Sequence, residues 1–393
     1  MKKTIENRAN NKSVLFLLQI VVIISILSQI SELESVLRPL MYTGWLCILV
    51  YLTMLNGFKM QLSNFTMLFV ISYIIYFLYC AILTMGGTEH LSSNYLKVLL
   101  APLMVCVATD MIKEKNEEVF FQRVAFTYIF AATIFAIYIN LKFFTAYDQW
   151  VDSTGYLFAQ KNSAGQILGV AVLLNFFICR QGNSVLKPIK FLFCCLSIYF
   201  IVVIMLCKCR AVMLALICVV IVDFFINVKH KIAYIVILTI VVVIFILTPN
   251  LKQFIFKSLN LGKYAGNDIN KFSSNRIELW KEAIAIFEEY PLFGVGNYYV
   301  DNSYVSILTE SGIIGFLIIE TIWVCRIVTN FKQLTRDRIY GGLSVCLTFF
   351  YIVESIFEAF PPFGPGVSSM FLWLYSEMYI DKENLYYRND FML

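Results

Sequence analysis

Charged residues are scarce in this sequence. Asp, Glu, Lys and Arg together make up 15% of its 393 residues, whereas hydrophobic residues make up 60% and the mean hydropathy is +0.75. A chain of this composition has too little polar surface to cover a soluble core, and it uses lipid as its solvent. The composition therefore excludes a soluble globular protein and predicts an integral membrane protein.

Histidine is almost absent, with two residues, His90 and His230, in the whole chain. The pair Cys207 and Cys209 has no histidine near it and makes a poor metal site. The eleven cysteines all lie in or beside predicted spans, which indicates apolar packing residues and no disulfide framework. We therefore predict no metal or other cofactor. The net charge of +5 suits anionic lipid head groups, and no soluble basic domain is present to bind nucleic acid.

Twelve apolar segments are long enough to cross a membrane as helices, each bonding its own backbone amides. They lie near residues 13–31, 40–56, 65–84, 95–112, 122–145, 162–180, 188–207, 209–226, 231–248, 304–326, 340–357 and 364–380. Basic residues before the first span and in loops of the same parity place both termini in the cytoplasm. The predicted fold is an all-α transmembrane bundle of about 12 spans, forming one membrane domain over residues 1–393.

The longest loop, residues 249–303, is predicted on the outer side between spans nine and ten. It contains a predicted amphipathic helix, which Asn275 caps with Glu278 three residues on. Its apolar stripe consists of Ile277, Trp280, Ile284 and Phe287. Pro291 ends this helix, and Gly294-Val295-Gly296 turns the chain back toward the membrane. An alternative is that the loop is only an amphipathic connector with a solvated charged face.

Cations from separate segments are predicted on the same outer side. Lys161 and Asn162 begin the sixth span, Lys208 and Arg210 lie between the seventh and eighth, and Arg276 begins the loop helix. Short outer loops normally avoid Lys and Arg, so these cations indicate an anionic partner such as a phosphate or pyrophosphate. For Lys208 and Arg210 the alternative is that they snorkel to lipid head groups.

Five short motifs carry a family resemblance. They are A-Q-K-N-S-A-G-Q at 159–166, C-R-A at 209–211, N-R-I-E-L-W at 275–280, P-L-F-G-V-G at 291–296 and D-N-S-Y-V-S-I-L-T-E-S-G-I-I-G at 301–315. Each motif is weak by itself, but their order and their placement around a large outer loop are more specific. Over residues 155–325 the chain resembles the O-antigen ligase and O-antigen polymerase (Wzy) family of bacterial surface-polysaccharide enzymes.

The resemblance implies a metal-independent glycosyltransferase at the outer face of the bacterial cytoplasmic membrane. Its donor would be a glycan on undecaprenyl pyrophosphate. In the polymerase branch, one lipid-linked repeat unit attacks the anomeric carbon of another chain, which builds capsule, exopolysaccharide or O-antigen. The implied partners are the lipid-linked oligosaccharide, membrane lipids, and the flippase and chain-length regulator of the same pathway.

The predicted site has four catalytic and six substrate-binding candidates. The catalytic candidates are Asp301, Arg210, Arg276 and Glu310; the substrate-binding candidates are Lys161, Asn162, Lys208, Asn302, Tyr304 and Trp280. The arginines suit the charge that grows on a pyrophosphate leaving group, and a carboxylate suits the acceptor hydroxyl. Asp301 is the first candidate base and Glu310 the alternate. Asp301 has two other interpretations: it orients sugar hydroxyls, or it only pairs with Arg276.

Two alternative functions stay open. One is a ligase that moves finished glycan onto a different acceptor, but many such ligases carry His-Asn where this chain has Asp301-Asn302, which favours the polymerase. The other is a flippase for the lipid-linked glycan, which would place charged residues along a path through several spans. Glu320 and Glu354 lie within predicted spans and either line a cavity or lock helices together.

Overall fold

The structure is a computed structural model. It describes residues 2–58, 62–112, 117–143, 161–180, 186–227, 248–258, 273, 275–364, 369 and 372–373. Within these ranges the chain forms thirteen α-helices and one short 3-10 turn, His90–Ser92, and no strand. The helices are α1 Lys2–Leu27, α2 Ser31–Leu55, α3 Asn64–Met85, α4 Asn94–Val98, α5 Leu100–Met111, α6 Glu117–Phe143, α7 Lys161–Arg180, α8 Lys187–Leu206, α9 Arg210–Asn227, α10 Pro249–Ser258, α11 Arg276–Glu289, α12 Ser303–Arg336 and α13 Arg338–Phe357.

Seven of the described helices are long and apolar enough to cross a membrane, and the number is eight if the bent pair His90–Val98 and Leu100–Met111 forms one span. A shorter apolar helix covers Ser13–Leu27. The all-α polytopic fold predicted from the sequence is confirmed. Ten of the twelve predicted spans coincide with helices. Span 231–248 lies almost wholly outside the described residues, and of span 364–380 only Gly364, Ser369, Leu372 and Trp373 are described.

Helices α7 and α13 form the centre of the bundle. In their apolar windows 83% of the α7 residues and 72% of the α13 residues are buried. They run antiparallel and approach closely because α7 carries small residues. A Cβ added at Gly169 would lie 2.8 Å from the ring of Phe350 on α13, so a larger residue there would push the two helices apart.

Helix α12 is bent at Gly312, whose φ of 61° and ψ of −172° are not helical. A bend leaves backbone groups without helical partners, and in a membrane these groups need other partners. The segment 291–296 supplies them. The N–H groups of Val295 and Gly296 donate to the carbonyls of Thr309 and Glu310 at 3.0 and 2.9 Å, and the N–H of Ile313 donates to the carbonyl of Pro291 at 2.9 Å. The motifs P-L-F-G-V-G and T-E-S-G therefore form one structural unit.

Candidate active site

Arg276 links two acids at one end of the bundle. Its Nη2 atom lies 3.0 Å from Oε1 of Glu358 and 3.4 Å from Oδ2 of Asp301. The three side chains come from the start of α11, the segment just before α12 and the residue just after α13. We call Arg276, Asp301 and Glu358 the acid–arginine cluster. The side chain of Asp301 is 29% exposed and that of Glu358 is 7% exposed, so the aspartate is the acid more open to a substrate.

Glu358 is the acid that binds Arg276 most closely, and no motif pointed to it. The Nδ2 group of Asn162, near the start of α7, donates to the same Oε1 atom at 2.6 Å. Burial raises the pKa of Glu358 to about 7; the Arg276 guanidinium opposes this shift and the Asp301 carboxylate adds to it. Glu358 can therefore change its charge near neutral pH, with a cation 3.0 Å away.

Asp301 is held from two further sides. The hydroxyl of Tyr299 donates to its Oδ1 at 2.7 Å, and the indole Nε1–H of Trp280 donates to its main-chain carbonyl at 3.0 Å. Burial raises the pKa of Tyr299, and the neighbouring Asp301 carboxylate adds to the rise, so the phenol stays protonated and remains a donor. Trp280, predicted to bind substrate, thus fixes the backbone of the candidate base.

The loop helix was predicted correctly in position but not in detail. Asn275 precedes α11 with φ 64° in the left-handed region and its side chain makes no capping hydrogen bond, so the predicted cap is wrong. Ala283 is fully buried, and its carbonyl accepts a hydrogen bond from Thr309 of α12 at 3.1 Å. Ile284 of the predicted stripe is 44% exposed. The face of α11 that packs on α12 is therefore centred on Ala283 and not on the predicted apolar stripe.

Three cationic candidates lie where the start of α7 contacts the turn between α8 and α9: Lys161, Lys208 and Arg210. The thiol of Cys209, between Lys208 and Arg210, donates to the main-chain carbonyl of Lys161 at 3.2 Å. A Cβ added at Gly165, one turn along α7, would lie 2.9 Å from Cys209, so this glycine permits the close approach. All three cationic side chains are half-buried. Asn162, the next residue after Lys161, connects this contact to Glu358.

Glu310, the alternate base, is placed elsewhere. Its side chain is fully buried and accepts hydrogen bonds from the Ser93 hydroxyl, from Asn94 Nδ2 at 3.4 Å and from the Tyr95 N–H at 3.4 Å. These partners begin α4, and Tyr76 of α3 binds both Ser93 and the neighbouring Ser311. Glu310 thus joins the bend of α12 to the start of α4.

Asn302 and Tyr304 begin α12. The Oδ1 of Asn302 accepts from the Val305 N–H at 3.0 Å, which caps the helix, and the residue is buried. Asn302 was predicted to bind substrate; in the structure its amide oxygen is used by the cap. Tyr304 is half-buried on the first turn. Among the described residues, no three His, Cys, Asp or Glu side chains are grouped so that they could hold a metal ion.

Comparison with protein families places these residues in context. Residues 195–319 match the family model described as O-antigen ligase (Wzy_C). Over this segment the chain is similar to O-antigen ligases. The matched segment includes Arg276, Asp301 and the bend of α12, whereas Asn162 and Glu358 lie outside it. No curated protein matches the chain.

The match confirms the family resemblance drawn from the sequence motifs. Four of the five motifs lie inside the matched residues, and the A-Q-K-N segment at 159–166 precedes them. The apolar helices indicate a membrane protein. The family of the matched model consists of glycosyltransferase-like enzymes that act on lipid-linked glycans.

Proposed function

We propose that this O-antigen ligase-like protein is a repeat-unit polymerase for capsule, exopolysaccharide or O-antigen. It transfers a glycan from undecaprenyl pyrophosphate onto a second lipid-linked repeat unit at the outer face of the bacterial cytoplasmic membrane. The observation that carries this proposal is the acid–arginine cluster, in which a guanidinium fixed beside a partly exposed carboxylate lies at one end of an apolar helical bundle.

The reaction needs a base and a stabilised leaving group. The acceptor hydroxyl oxygen attacks the anomeric carbon, the bond from that carbon to the pyrophosphate oxygen breaks, and the electron pair leaves with the pyrophosphate. Asp301 takes the hydroxyl proton, and Glu358 holds Arg276 in place. Arg276 and Arg210, with Lys161 and Lys208, supply positive charge to the leaving group, so the proposed reaction uses no metal ion.

In this proposal the remaining candidates have supporting roles. Trp280 and Asn302 hold the segment that carries Asp301, Tyr304 lies on the first turn of α12, and Glu310 anchors the bend. The outer loop 249–303 contributes Arg276, Trp280 and Asp301 to the site, and residues 155–325 supply most of its polar groups. The whole chain, 1–393, acts as one membrane domain with both termini in the cytoplasm. The distribution of basic residues supports this orientation.

A ligase is the second candidate, because the matched family model is described as O-antigen ligase. The contacts of His90 favour the polymerase. The ring of His90 is 1% exposed, and its two nitrogens lie 2.6 Å from the Thr88 hydroxyl and 2.8 Å from the carbonyl of Phe293. Both ring nitrogens of His90 are therefore bonded to residues outside the acid–arginine cluster. His230 lies outside the described residues.

The proposal is tested by gel analysis of lipid-linked glycans in a strain from which the gene is deleted. Loss of a polymerase leaves single repeat units attached to the acceptor, which is the expected result. Long unattached chains would instead indicate a ligase, and repeat units trapped on the inner face would indicate a flippase. Complementation with the wild-type gene, at matched membrane levels, should restore the long chains.

A further inference from the structure

Two amide–carboxylate pairs join α7 to the end of α13. Asn162 Nδ2 donates to Glu358 Oε1 at 2.6 Å, and Gln166 Nε2 donates to Glu354 Oε2 at 2.8 Å. Asn162 and Gln166 are four residues apart, as are Glu354 and Glu358, so the two pairs lie about one helical turn apart on both helices. The two carboxyls therefore stand one above the other, and only Glu358 contacts Arg276.

Glu354 is the more isolated carboxyl of the two. It has no exposed surface, and its Oε1 atom has no hydrogen-bond partner. Further into the membrane the next α7–α13 contact is Gly169 against Phe350, which is apolar. Among the described residues Glu354 contacts one amide donor and no cation, and a buried charge without a contacting cation is costly. The Glu354 and Glu358 anions would repel each other across one helical turn. The two carboxyls therefore lose their protons one after the other as pH rises.

We propose that Glu354 is a positioning residue for Glu358: the two carboxyls lose their protons in sequence, and while Glu354 stays neutral the Glu358 anion holds Arg276. The other titratable groups facing the pair are Asp301 and Tyr299 from the segment before α12, and Lys161 begins α7 beside Asn162. When Glu354 also loses its proton, two anions lie near the single guanidinium of Arg276, and this disturbs the acid–arginine cluster. The part of this inference that concerns catalysis rests on the proposed function.

The variant Glu354→Gln tests the inference, because glutamine imitates the neutral carboxyl. We expect glycan synthesis by the wild type to rise as Glu358 ionises and to fall again at alkaline pH. Glu354→Gln should keep the rise and lose the alkaline fall. An alkaline fall at the same pH in the variant would overturn the inference. The matched control is Glu288→Gln on α11, which removes an exposed acid and should leave the wild-type profile unchanged.

Unfolding in detergent tests the carboxyl pair without any activity. A buried carboxyl that is neutral in the folded protein releases its proton on unfolding above the usual glutamate pKa, so in this inference the wild type should lose stability as pH rises above about 4 to 5. Glu354→Gln should lose it less steeply, because one proton fewer is released on unfolding. An equal slope in both proteins would overturn the inference. A reduced slope in a protein that makes no polymer would retain the carboxyl pair and reject the proposed function.

A second variant applies if Glu354→Gln does not reach the membrane. Gln166→Leu keeps both carboxyls and removes the amide that donates to Glu354. Without this donor the Glu354 anion is less stable, so the alkaline fall should move to higher pH by about one unit. An unmoved alkaline fall would contradict the inference.

Discussion

Replacing Arg276 should abolish most glycan transfer while leaving the fold nearly intact. Arg276→Gln removes the charge and keeps most of the side-chain length. Donors aimed at a developing negative charge are worth about 10²–10³ in rate, or about 2.7–4 kcal/mol. We expect a loss of activity of that size, since the guanidinium is only 17% exposed and little water can replace it.

The cost to stability should be much smaller. Burial raises the pKa of Glu358 to about 7, so its neutral form is accessible near neutral pH even with Arg276 present. Without the arginine it takes up its proton, so no unpaired anion is left buried. The contact with the more exposed Asp301 adds about 1 kcal/mol at most. Unfolding therefore cannot account for a loss of activity of a hundredfold or more.

The assay is the chain-length distribution of glycan in the deletion strain carrying each variant, normalised to the amount of protein in the membrane. The control is Arg38→Gln, whose arginine pairs with Glu34 at 2.7 Å in an exposed position on α2; it should make normal polymer. If Arg276→Gln makes long chains at the wild-type rate, the assignment of Arg276 to the leaving group is refuted.

Three further predictions concern single residues. Asp301→Asn should lower activity at least tenfold if Asp301 is the base, and retained activity in membranes would reject that role. Activity should fall as pH drops through about 7, because the raised pKa of Glu358 lets it protonate and release Arg276. Glu358→Gln should weaken this loss of activity at low pH. An unchanged loss in the variant would contradict the role of Glu358. Gly312→Ala should lower the amount of protein in the membrane, since the new Cβ would lie 2.3 Å from the carbonyl oxygen of Leu292 and φ is +61°. Such backbone strain costs about 1–3 kcal/mol or more. The milder control is Gly87→Ala, where φ is +94° and nothing lies within 4 Å of the new Cβ.

The spans and the loop helix could be predicted from the sequence because their signals are local. Hydrophobic runs of about 20 residues predict membrane helices wherever they occur. The apolar stripe that contains Trp280, with Pro291 after it, predicts the helix α11. The partners of Arg276 were harder to predict. Asp301 lies close in sequence and was considered as a partner, whereas Glu358 is 82 residues away from Arg276.

Glu358 was missed because its role depends on the register of two distant helices. The bond from Asn162 to Glu358 spans 196 residues, and neither hydrophobicity nor a short motif encodes such a pairing. The spacing of Glu354 and Glu358 by one helical turn, at the end of an apolar span, was the available signal. Glu310 shows the opposite case. Its motif made it a candidate base, but the structure surrounds it with Ser93, Asn94 and the start of α4.

The proposed activity is tested most directly with the purified full-length protein in liposomes. Lipid-pyrophosphate-linked repeat units, extracted from the deletion strain, would be the only glycan substrate supplied. We predict a ladder of products that grows by whole repeat units, with release of free lipid pyrophosphate and no change on addition of a metal chelator. Chain growth that appears only after a different acceptor is added would contradict the polymerase assignment, as would transport of the lipid-linked units across the bilayer without any ladder.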